Sequence, residues 1–158
     1  MLYFKTIPIT EADGTKVEAA IRQFAVKRHT PLDLQSSVTE VGTDKLFLGL
    51  EKENNIQVIR LRTTFERFLP RVIIRFDKAR GFTEYRIRYS LLSNFLFALL
   101  ALAVVFNIIH LLNSRQLESE STTPFVLLFL FLFLTFIELR LTQAYIKSAI
   151  NKTQLTNS

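Results

Sequence analysis

The stretch PFVLLFLFLFLTFIELR, Pro124 to Arg140, constrains this chain more than any other. Phe125 to Leu134 are apolar without interruption, and the run closes on Glu138 and Arg140. A lipid-facing barrel strand alternates apolar with polar side chains, whereas here both alternate sets, Phe and Leu, are apolar, so the strand reading fails. A second block, LLSNFLFALLALAVVFNIIHLL, runs from Leu91 to Leu112. At about 1.5 Å per residue it makes a helix of roughly 33 Å, enough for a hydrocarbon core of about 30 Å. Burying two such blocks in a soluble protein needs a large shell, which the first ninety residues cannot supply. The expectation is a two-helix transmembrane hairpin over 91–142. Its spans are 91–112 and 124–141, its external loop is 113–123, and the second helix extends into TQAYIKSAINK.

Charge gives this hairpin a direction. Arg86 and Arg88 precede the first span, and Arg140 and Lys147 follow or close the second, while the loop sets Arg115 against Glu118 and Glu120. The positive-inside bias then puts the N-terminal domain and the tail 143–158 in the cytoplasm. The N-terminus, MLYFKTIPITEADG, has no long apolar run, so no signal peptide is read there. Polar residues within the spans are functional candidates, because a charge in hydrocarbon is expensive. These are Asn94, His110 and Glu138. His110 and Glu138 lie at opposite depths of an antiparallel hairpin, which argues against a proton relay. Glu138 is level with Ser93 and Asn94, so a hydrogen bond across the hairpin, a homo-oligomer contact or simple snorkelling are the alternatives. Neither span carries Gly-xxx-Gly.

Residues 1–90 read as a cytoplasmic α+β domain, one amphipathic helix on a small antiparallel sheet. Val17, Ala20, Ile21, Phe24 and Ala25 form one apolar stripe at helical spacing, Thr15 and Glu18 make a capping box, and Pro31 ends the helix. His29 is expected at that helix's C-terminus, where a cation suits the dipole. LYFKTIPI reads as an edge strand because of Pro8. KLFLGLEK and IQVIRLRT flank an ENN turn, RVIIRFD and TEYRIRY flank KARGF, and LQSSVTEV is a further strand candidate. Alternation along the last three strands suggests that Arg60, Arg62, Arg71, Arg75, Arg86 and Arg88 share the face away from the core. Held near the inner leaflet, that face would suit a protein partner or anionic headgroups. The bland alternative is a solvated face paired with Glu51, Glu53, Asp77 and Glu84. Nucleic acid is disfavoured, since no aromatic residues interleave with the arginines as stacking platforms.

Chemistry is sparse. The chain has no cysteine, only two histidines, His29 and His110, and four scattered glycines, so no catalytic, metal or cofactor site is read. The segment Ile56 to Leu102 resembles a group of small bacterial membrane proteins without assigned function. In these a β-rich domain with an Arg…Phe-Leu-Pro segment, here Arg67 to Pro70, feeds directly into a transmembrane hairpin. The resemblance implies this architecture and a bacterial inner-membrane setting, and carries over no activity. The sequence thus points to a non-enzymatic membrane accessory protein that docks a protein partner or lipid through the six arginines. The alternative is an immunity-type or channel-modulating protein working through its spans, where Phe129, Phe133 and Phe136 form an aromatic ridge.

Overall fold

The computed structural model describes residues 3–9, 14–34, 44–63, 65–114 and 122–156. Six strands form one mixed sheet: β1 (Lys5–Pro8), β2 (Ala25–Lys27), β3 (Phe47–Glu51), β4 (Asn55–Arg60), β5 (Val72–Asp77) and β6 (Glu84–Tyr89). The spatial order is β1-β6-β5-β4-β3-β2. Strands β3 to β6 are an antiparallel meander, β1 closes the β6 edge antiparallel, and β2 closes the β3 edge in parallel. Pro8 therefore sits on an edge strand, as its missing N–H requires. The candidate strand LQSSVTEV lies almost wholly outside the described residues.

The amphipathic helix α1 is Gly14–Phe24, shorter than its apolar stripe suggests. Ala25 leaves the helix to begin β2, which pairs with Phe47, Leu48 and Gly49. Gly49 eases that pairing, because a Cβ there would lie 3.2 Å from the Ala25 methyl, closer than ordinary contact. His29 consequently lies beyond β2 and not at a helix end, which removes its expected dipole role. Gly14 is needed for a different reason: any Cβ on it would collide with the Gly81 carbonyl. Gly81 and Phe82 both take positive φ, 60° and 58°, and turn the chain between β5 and β6.

Two long helices follow, α2 (Leu91–Ser114) and α3 (Thr123–Thr156). At about 1.5 Å per residue α3 is roughly 51 Å long, some 20 Å more than a bilayer's hydrocarbon needs. The surplus is structural. Ile146, Ala149 and Ile150 near its C-terminal end are buried in the main core beside Val17, Ile21 and Phe24 of α1. Residues 143–156 are therefore the second helix of the domain's helical layer and not a separate tail. The sheet's inner face contributes Ile56, Val58, Ile74, Phe76 and Ile87 to the same core. On the outer face, Leu32 from a short 3₁₀ turn covers Leu48, Ile59 and Ile73.

Beyond the domain the hairpin carries its apolar side chains outward. Leu92, Phe106, Leu112 and Phe129 are among the most exposed, and none of the most apolar part of α2 is buried. Both helices are long and apolar enough to cross a membrane. Exposed apolar side chains in such number mark a surface that meets a membrane or another protein.

Candidate functional site: a charged junction between domain and hairpin

Glu138 sits on α3 where the apolar helix meets the sheet, and it is 1 % exposed. Its two oxygens are held by the last residues of β4 and its extension. Arg60 Nη2 donates to Oε2 at 2.8 Å, and Arg62 Nη2 lies 3.0 Å from Oε1. Arg60 reaches Glu138 because Ile56, Val58 and Arg60 point together from β4 into the helical layer. Its guanidinium is also 5.0 Å from the Tyr145 ring and 2.8 Å from Glu66 Oε1 through Nη1, an ion pair without hydrogen-bond geometry. Burial alone would lower the Arg60 pKa; Glu138 and then Glu66 outweigh it, so the net direction is upward. Arg62 also donates from Nη1 to the Leu69 carbonyl at 2.8 Å and from Nη2 to the Pro70 carbonyl at 2.9 Å. Glu66 completes the cluster by accepting the Thr63 N–H at 2.9 Å.

A second tie fixes the start of the hairpin. Arg88 grips Asp33 through both oxygens at 3.1 and 2.8 Å, and Asp33 also accepts the Leu91 N–H at 2.9 Å. Burial would raise the Asp33 pKa, but Arg88 and the Leu91 N–H overcome it and hold the carboxyl below its ordinary value. Ser90 caps α2 from its own side chain, and Ser93 Oγ accepts the Arg71 N–H at 2.8 Å. Tyr89, Phe97 and Phe131 then pack their rings within 6.0 Å of one another, joining β6 to both long helices.

The six arginines therefore do not form one outward face. The register that sets Gln57 opposite Arg75 and Val58 opposite Ile74 puts Arg60 on the core side. Arg60 and Arg88 are 3 % and 5 % exposed, each bound to a carboxylate. Arg75 and Arg86 do lie side by side on the outer face, but Asp77 and Glu84 accompany them at 2.9 and 3.4 Å. Glu138 turns to the domain's arginines and not to Ser93 or Asn94, because those two cations offer more than a neutral hydrogen bond. Asn94 and His110 lie on exposed positions of α2, apart from this cluster. Arg140 stacks over Phe136 at 5.2 Å and points outward.

One signal for the cluster was present in the sequence: Arg60 is in phase with buried Ile56 and Val58, and Glu138 is the sole carboxylate in the two apolar blocks. The Arg88–Asp33 pair had no comparable signal: the two lie 55 residues apart, and Asp33 stands on a short 3₁₀ turn that no periodicity announces. Beside both ties opens a cavity of about 470 Å³. Arg62, Arg67, Arg71 and Asp33 line its domain end, while leucines of α2 and α3 line the other. Searches against protein-family models, curated proteins and solved structures find no match for the chain.

Proposed function

We propose that this is a two-pass integral membrane accessory protein, non-enzymatic, whose α+β domain is locked onto its own hairpin and works at the cytoplasmic surface of a bacterial inner membrane. The observation that carries this reading is the double use of α3, an apolar helix in its first half and a core element of the domain in its second. A flexible tether would serve to localise a domain. Rigid coupling through Glu138 serves to hold a surface at fixed height and orientation for a partner in or on the membrane. Purification of the full-length protein in mild detergent, with mass spectrometry of what accompanies it, tests the idea. A stoichiometric membrane or peripheral protein supports it, and recovery of the chain without any polypeptide partner counts against an accessory role.

A second reading rests on the outward aromatic ridge of Phe129, Phe133 and Phe136, each more than half exposed. In it the spans pack against another protein's helices, as in an immunity-type or channel-modulating protein. Exchanging residues 95–134 for unrelated apolar sequence separates the two. Retained partner capture favours the domain, and lost capture favours the spans.

A further inference from the structure

We propose that the junction cavity is a binding site for one anionic glycerophospholipid, its headgroup phosphate on the arginine end and an acyl chain between α2 and α3. This rests on the membrane-integral reading above and deepens it. The cavity has the two-ended chemistry of such a lipid. Its polar end carries Arg62, Arg67 and Arg71 against the single carboxylate Asp33, which Arg88 already engages. Its other end is built from leucines on both long helices, including Leu96 of α2 and Leu130 of α3. The volume of about 470 Å³ falls within the roughly 300–1,000 Å³ of ordinary small-molecule sites.

Position argues for a lipid over a soluble anion. The arginines sit where the apolar helices emerge from the domain, the level of headgroups if the hairpin spans. Phe68 lies on the same rim with 84 % of its surface exposed, which suits an aromatic ring resting at the interfacial boundary. Burial first, and then the Arg62 charge, pull the Arg71 pKa below its ordinary value against the opposing pull of Asp33, and a phosphate beside Arg71 would add to the Asp33 effect. Arg62 is fixed to Glu138 and to two loop carbonyls, so it is a preorganised wall of the site, with Arg67 and Arg71 beside it in the lining.

The test uses the full-length chain, purified in mild detergent and challenged with equal amounts of palmitoyl-oleoyl phosphatidylglycerol and phosphatidylcholine. Native mass spectrometry reads the retained lipid. The expected result is one phosphatidylglycerol retained in preference to phosphatidylcholine. Each of Arg67→Gln and Arg71→Gln should lower that retention roughly fivefold. Leu130→Trp fills the apolar end without touching a charge and should displace lipid while far-UV circular dichroism and the thermal unfolding midpoint stay those of the parent. Equal retention of the two lipids, or no response to either class of variant, overturns the proposal. So does displacement by glycerol 3-phosphate at concentrations matching the lipid, which would make the site one for soluble phosphates. Carbonate-resistant sedimentation with reconstituted vesicles is the independent control: if it fails, the membrane reading falls, and if it holds without lipid preference, only the lipid site does.

Discussion

Glu138 shows how a single side chain can decide the relation between two parts of a protein. Two arginines converge on it at 2.8 and 3.0 Å in a site closed to water. Such a cluster contributes little net stability compared with apolar packing, but removing one member leaves uncompensated charge behind. Glu138→Gln is therefore expected to destabilise the protein by about 3–5 kcal/mol. The double replacement Arg60→Met with Glu138→Leu should recover part of that, since Arg62 retains the Leu69 and Pro70 carbonyls. Urea unfolding of the domain in detergent, followed by tyrosine fluorescence, measures both; a single variant indistinguishable from the parent would show that the cluster is solvated. Asp33 gives a prediction in pH. Its folded pKa is depressed, so its contribution is present above the ordinary value of 3.8 and is lost as pH falls through the lower folded value. The parent should lose stability on acidification below about pH 4 more steeply than Asp33→Asn, which has already lost the tie. Parallel acid curves for the two would mean that other carboxylates carry the effect.

At the level of elements, the boundary that matters does not coincide with the boundary between polar and apolar sequence. The hairpin, the meander strands β3 to β6 and the edge position of β1 were legible because each follows from a local pattern: continuous apolar runs, turn residues or a proline. Three features were not. Helix α1 stops at Phe24 because Ala25 finds a strand partner in Phe47, a tertiary pairing that overrides the helical stripe. The arginine face dissolves because alternation fixes which residues share a side within one strand, whereas the register between strands decides which sides coincide. Residues 143–156 looked like a tail because their small and mixed side chains, Ala144, Ile146, Ala149 and Ile150, declare a buried stripe only once α1 lies against them. It follows that residues 1–90 should not fold alone. Without α3 the faces of Ile21, Phe24 and the inner sheet lose their cover, and deletion of even one such side chain as Ile146→Ala is expected to cost about 2–5 kcal/mol. Residues 1–90 expressed alone should give poorly dispersed amide resonances, and adding a peptide of residues 139–158 should sharpen them. Native-like dispersion of the isolated segment would show that α3 merely leans on a finished domain.

For the whole molecule, packing α1 against the end of α3 settles one point of topology and leaves another to charge. The domain and residues 143–156 lie on the same side of the hairpin, since they share a core. Which compartment that side faces is not a matter of packing. The flanking cations Arg86, Arg88, Arg140 and Lys147 argue for the cytoplasm, and the weakly acidic connection between the spans argues for the opposite side. The natural chain contains no cysteine, so single cysteines report without background. Ser119→Cys lies between the spans and Asn151→Cys on the exposed side of α3 near its end. In intact cells a membrane-impermeant maleimide should modify Ser119→Cys, and it should reach Asn151→Cys only after lysis. The reverse pattern would put the domain outside and move the partner search there with it. Labelling of both positions in intact cells would mean that the apolar helices do not span, and the junction arginines would then face water and not headgroups.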